Sequence, residues 1–416
     1  MKLKQIRVDG YKNLIDCVVN LDDFNVLVGP NNSGKSNLLE AIQMLWPICF
    51  GDEKVRQRIF RGLTPRLTSD SSICHLDTYK SRSMKIGIVF DIHIEETNWL
   101  VDYELCVKCD FFPKNKGGFV HEKLEAKPQL KPGKPGPLTK YIERNETNLT
   151  VLGKVSPIAK NNSSMLAITS LYPEYKDLPL EFKSFLNAIE AISLTSVFSL
   201  SPQNIRDDID KEKPMKDLHI SSFDLCLALE EIQRENKYYN LFCDTLCDIF
   251  DLEAIHFRIR DIPIPSKDNK DSQTAHKKIR MLYIERKGSK PAPIEEFSDG
   301  TFATSALLAA LFLEDTRGPI LLIEEPENYL HPAALKKLIR FLHDHADKWP
   351  VLITTHSPFL LNGVNPEDVN VAVVANDGST HFKKIENKKA LRSYLNSGLM
   401  SFGDMLASNF EEVLTE

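Results

Sequence analysis

Residues 29–36 read GPNNSGKS, directly after the apolar run FNVLV (24–28) and directly before SNLLEAIQML (36–45). The octet fits G-x-x-x-x-G-K-[ST] without a mismatch. Such a loop works only between a buried strand and the start of a helix. Its glycines let successive backbone N–H groups turn inward onto phosphate oxygens, and the helix N-terminus favours the anion. Gly29, Pro30, Asn31, Asn32, Ser33 and Gly34 are expected to form the cradle, with Asn37 beside it. Lys35 would place a point charge at the β- and γ-phosphates, and Ser36 would ligate Mg²⁺. ATP and Mg²⁺ are therefore the expected cofactors.

A second stretch, ILLIEEPENYLHP (320–332), runs four apolar residues into two adjacent glutamates. Buried carboxylates are costly unless a cation faces them. Glu324, ending the strand, is read as a Mg²⁺ ligand acting through a water. Glu325 is placed to orient or deprotonate the water that attacks the γ-phosphate. The usual first residue is Asp, and the extra methylene of Glu324 is expected to slow turnover. Around this stretch the pattern gives a helix over 304–313, a strand over 320–323, a helix over 333–345 and strands over 351–354 and 369–374. That alternation points to a mainly parallel α/β sheet.

FSDGT (297–301) lies just before the first of these helices, and TTHSP (354–358) follows the strand after the glutamates. With IRVDGYKNL (6–14) ahead of the glycine-rich loop, the set resembles the ABC-type ATPases, in particular their RecF/SMC-like and OLD-like heads. The resemblance covers about 1–50 and 295–360. It implies a P-loop NTPase fold of the ABC type with a mixed sheet, an antiparallel β lobe and an inserted helical lobe. Ser298, Asp299 and Gly300 look like the signature motif, which in this family reaches the γ-phosphate held by a second protomer. His356 looks like the switch histidine that senses the γ-phosphate. Glu327–His331 occupies the position of the loop at the dimer seam. Gln203 is the candidate for a further Mg²⁺ ligand. Lys12, with Tyr11 and Asn13, is placed near the base or ribose.

The rest of the chain bounds this reading. Net charge is −6 over 416 residues, so the whole surface is not a nucleic-acid glove, although the lysines of 114–140 offer a local basic patch. No apolar run approaches membrane-spanning length, the N-terminus shows no signal pattern, and the eight cysteines are scattered apart from a lone C-x-x-C at 106–109. A cytoplasmic protein with reduced thiols is expected. MKIGIVFDIHIEETNWLVDYELCVKCDFF (84–112) reads as an antiparallel meander, and 113–138 as loop. The expected organisation is a discontinuous nucleotide-binding core with its β lobe (1–120 and 275–416) and a mainly helical lobe at 165–255. No heptad arm and no Toprim-like acidic cluster is visible. The resemblance then implies an ATP-clamped homodimer or higher oligomer that switches a separate nuclease or toxin effector in anti-phage defence, with DNA or an invader product as trigger. A RecF-like DNA-repair clamp and a weakly active ATP-binding scaffold are the alternatives.

Overall fold

The computed structural model describes residues 1–60, 83–108, 118–131, 134–145, 147–157, 178–195, 197–199, 222–235, 238–264, 275–313, 319–385 and 401–408. Three strands come first: β1 (Lys2–Asp9), β2 (Cys17–Asn20) and β3 (Phe24–Val28). Helices α1 (Lys35–Gln43), α2 (Leu45–Cys49) and α3 (Glu53–Phe60) follow. The next block is antiparallel: β4 (Ser83–Ile94), β5 (Thr97–Lys108), β6 (Gly118–Lys131), β7 (Lys134–Pro135), β8 (Thr139–Arg144), β9 (Asn148–Val151) and β10 (Lys154–Pro157). These strands join β1 and β2 in a sheet ordered β10-β9-β8-β6-β5-β4-β1-β2, with β7 on β6. Helix α4 (Leu180–Ser193) packs its Phe182, Phe185, Ile189 and Ile192 into the same core.

One segment departs from the sequence reading. Residues 118–131, expected as loop, form β6 between β5 and β8. Two features hide it. The inward positions are Glu122, Leu124 and Ala126, and the buried Glu122 breaks the apolar alternation while the Tyr103 hydroxyl donates to its Oε1 (2.9 Å). Pro128 sits where pairing on one side passes from β8 to β7, so its missing N–H breaks no ladder there. The basic reading of this region weakens too, since Lys123 pairs with Glu125 (2.6 Å) and Lys140 with Glu143 (2.9 Å).

The second sheet is the one that matters for the site. It contains β3, β11 (Val197–Ser199), β15 (Leu321–Glu324), β16 (Val351–Thr355), β17 (Val369–Val374) and β18 (Thr380–Lys384), in the order β11-β15-β16-β3-β17-β18. Every pair is parallel except β17–β18, which the Asp377-Gly378 turn closes as a hairpin. Continuous apolar runs are what a parallel strand needs when both faces are covered. Here Leu27, Leu322 and Leu352 face the core shared with the antiparallel sheet, while Val26, Ile323 and Ile353 face a second core. Helices α5 (Ser222–Glu235) and α6 (Tyr239–Phe250) belong to that second core. So does the base of a long hairpin, β12 (Leu252–Ile264) with β13 (Ala275–Arg286), which the short β14 (Ala292–Pro293) extends.

Helices α7 (Asp299–Phe312) and α8 (Pro332–Asp344) complete the second core; α9 (Pro358–Leu361) and α10 (Phe402–Ser408) also pack on it. Helix α7 starts five residues earlier than periodicity alone gives, because Ser298 caps it. Ile353 lies on the central strand pairing with both β15 and β3 and is fully buried. Ile353→Ala is expected to lower the unfolding free energy by about 2–5 kcal/mol in a urea titration, because the cavity is walled by two sheet neighbours that cannot collapse.

Candidate functional site

The parallel register fixes the site. Glu324 is level with Thr354 on the neighbouring strand, and Thr354 is level with Leu27 on the next. Adjacent strands lie about 4.8 Å apart, so the ends of β15, β16 and β3 deliver their next residues to one edge. Those residues are Glu325, His356 and Gly29. The carboxyl ends of parallel strands are where open α/β sheets bind ligands.

Gly29–Gly34 leaves β3 and re-enters the chain as α1. Gly34, at φ +83°, takes a left-handed turn as the N-terminal cap, and Asn32 is also left-handed at φ +64°. A side chain on Gly34 would also meet the Asn13 amide at 2.9 Å. These two turns aim the loop's backbone inward. Pro30, Asn31 and Asn32 are exposed on its rim, Ser33 is buried, and Ser36 and Asn37 are half-buried on the first turn of α1. Lys35 is 4% exposed, and its ammonium folds back onto the loop. It donates to the Gly29 carbonyl (2.8 Å) and the Pro30 carbonyl (2.9 Å). Burial pushes its proton affinity below the ordinary lysine range, opposed in turn by the charges of Glu325, Glu327 and Glu324. An ammonium desolvated beside three carboxylates is a site prepared for an anion accompanied by a cation.

Glu325 leaves β15 in the left-handed region (φ 44°), while its N–H donates to the Thr354 carbonyl (3.0 Å). That turn brings its side chain across to His356, whose Nδ1 is 3.2 Å from Glu325 Oε1. Asn328 Nδ2 donates to the other oxygen (3.1 Å). Glu324 is half-buried at the strand end. The structure thus brings Lys35, Glu324, Glu325 and His356 together, and adds Glu327. The Thr355 hydroxyl (2.6 Å) and the His356 N–H (3.1 Å) both donate to Glu327 Oε1. The sequence reading had put Glu327 only at a dimer seam. No sequence signal marks it: the reversal that returns Glu327 to the side of the other two glutamates begins at the left-handed Glu325.

Tyr11, Lys12 and Asn13 lie against α1. Lys12 is ion-paired with Glu40 and donates to Asn37 Oδ1 (3.2 Å), and Asn37 donates to Asn13 (2.6 Å). Ser298, Asp299 and Gly300 open α7, where the Ser298 hydroxyl caps the Thr301 N–H (3.3 Å). This N-terminus rests on Tyr329: a Cβ on Gly300 would stand 2.2 Å from the Tyr329 carbonyl oxygen. Gln203 lies outside the described residues. The candidate metal donors, Ser36 on the first turn of α1 and Glu324 at the end of β15, are oxygen only, which suits a hard divalent cation such as Mg²⁺.

The chain is similar to known proteins in sequence and in fold. A family model described as AAA ATPase domain matches residues 1–361. A curated relative, an OLD nuclease of Thermus scotoductus, is 23% identical over 371 residues, 86% of this chain. The chain spans 59% of that relative's length. Among solved structures, the Smc head bound to the C-winged helix domain of ScpA aligns over 94% of this chain and 100% of its own, at 12% identity and TM-score 0.52. An SMC head domain from Thermotoga maritima aligns over 93% and 100%, at 14% identity and TM-score 0.43.

The closeness of α7 to Tyr329 gives a direct expectation. Gly300→Ala should force the two segments apart and cost about 1–3 kcal/mol in a urea titration. An unchanged midpoint would mean that the α7 N-terminus does not bear on Tyr329.

Proposed function

The chain belongs to the AAA ATPase domain family, with the fold of a P-loop NTPase head, and from that premise we propose that it binds and hydrolyses ATP with Mg²⁺ in an ATP-linked dimer. The observation that carries this reading is the shared edge of β3, β15 and β16. It sets a buried lysine, three glutamates and a histidine around a glycine-rich loop.

In the proposal, the backbone of Gly29 to Ser36 cradles the phosphates and Lys35 exchanges its two carbonyl partners for phosphate oxygens. Ser36 and Glu324 would hold Mg²⁺, directly or through water. When bound, the ion neutralises charge on the transferred phosphoryl group. Glu325 takes the proton of the attacking water, and His356 orients it and reads the γ-phosphate. The left-handed turn at Glu325 supports this role, since it points the carboxylate off the strand end and toward the histidine. Ser298, Asp299 and Gly300 would complete the site of a second copy: the Ser298 cap leaves a helix N-terminus presenting N–H groups and partial positive charge.

The output is proposed to be control of a nuclease or toxin effector in anti-phage defence. Support comes from the likeness to the OLD nuclease, of whose length this chain spans 59%. Glu324 in place of the shorter Asp supports slow turnover.

Lys35→Ala should abolish ATP binding in a calorimetric titration. Glu325→Gln should keep binding, lower kcat at least about 100-fold, and accumulate an ATP-dependent dimer by mass photometry. Wild-type turnover in Glu325→Gln would remove the base assignment. Ser298→Arg should leave one ATP bound per chain yet prevent that dimer. Affinity capture of Glu325→Gln from its host with MgATP tests the output: a stoichiometric nuclease- or toxin-like chain supports it, and DNA with repair proteins would replace it with the clamp reading.

A further inference from the structure

Glu327 does more than fill a turn. Its side chain is 9% exposed, yet its Oε2 is buried with no hydrogen-bond partner among the described residues. Leaving a buried carboxylate oxygen without a hydrogen bond is destabilising. A turn that only needed a polar residue would not retain that cost. The other oxygen accepts from two groups of the next strand end, the Thr355 hydroxyl and the His356 N–H, and lies 3.6 Å from His356 Nδ1. The Thr355 hydroxyl oxygen accepts in turn from the Ser357 N–H (2.9 Å). One carboxylate oxygen therefore pins the whole turn from Thr355 to Ser357, which carries His356.

The same segment reaches a second place. The Asn328 N–H closes onto the Glu325 carbonyl (3.2 Å), making 325–328 a tight turn. One residue later, the Tyr329 carbonyl lies so near Gly300 at the head of α7 that a Cβ there would stand 2.2 Å from its oxygen, with Leu330 beside it. Glu325, Glu327 and Tyr329 thus lie on one short strap, clamped to the histidine turn at one end and to the signature-like helix at the other.

We infer that Glu327 is a positioning residue that couples occupancy of the chain's own phosphate loop to the N-terminus of its own α7, through the His356 turn and the 325–330 strap. The inference rests on the nucleotide-binding reading above. A γ-phosphate that draws on His356 moves the turn, Glu327 carries that movement into the strap, and Tyr329 transmits it to Gly300. The part of α7 offered to a second copy then depends on whether its own site is loaded.

Hydrogen exchange read by mass spectrometry, with and without MgATP, tests this on the full chain. Wild type and Glu327→Gln, which keeps an acceptor oxygen for Thr355 and His356, should gain protection at 29–36, at 355–357 and at 299–302. Glu327→Ala and Thr355→Val should gain it at 29–36 only. In turnover, both should lose about 10- to 100-fold in kcat, the usual cost of removing a residue that orients an active group, with KM for ATP changed less than about threefold. The double variant should be no worse than the worse single one, since both remove one interaction. Protection at 299–302 in Glu327→Ala equal to wild type overturns the coupling, as does its absence in wild type that is protected at 29–36. Wild type unprotected at 29–36 would instead overturn the nucleotide-binding reading itself.

Discussion

The parallel pairing of β15, β16 and β3 is the constraint on which the rest depends. Side chains alternate along each strand, so Leu27, Leu322 and Leu352 are committed to one core and Val26, Ile323 and Ile353 to the other. A slip of one residue would exchange the two sets and bury the wrong ones. The register is thereby held by apolar burial on both faces. Its consequence is chemical: with Glu324 level with Thr354 and Thr354 level with Leu27, the glycine loop, the glutamates and the histidine have to emerge side by side. The hydrophobic effect sets positions that the polar groups could not set for themselves.

Those polar groups are held in tension. Lys35 is buried and turned onto two loop carbonyls, while Glu324, Glu325 and Glu327 act on it from the end of β15 on the same edge. The ammonium finds its acceptors on the loop itself, whereas one oxygen of Glu327 is buried with no hydrogen-bond partner among the described residues. In the proposed reading, a divalent cation at the glutamates would sit between them and the phosphates held at Lys35. The left-handed Glu325 belongs to the same picture, since backbone of that kind persists only where surrounding structure holds it.

Much of this was legible in the residues. GPNNSGKS between two apolar segments fixes strand, loop and helix, because no other arrangement satisfies its backbone. The paired glutamates after ILLI and the histidine after VLITT follow from the same logic, and the structure sets them along one edge. The sequence was silent where tertiary context overrides local pattern. Strand β6 is disguised by Glu122, which is buried where Tyr103 of one adjacent strand donates to it and Arg144 of the other pairs with it, and by Pro128, harmless where the neighbouring pairing changes partner. Glu327 was missed for a related reason. Its role comes from the reversal of backbone at Glu325, and a left-handed glutamate is not something that composition or periodicity announces.

Calorimetric titration of ATP into the wild-type chain, with Mg²⁺ and with a chelator in its place, tests the central claim most directly. The account predicts one ATP per chain and an affinity that Mg²⁺ raises, because the three glutamates beside Lys35 repel bare phosphates until a cation stands between them. No binding, or an affinity indifferent to Mg²⁺, would contradict it.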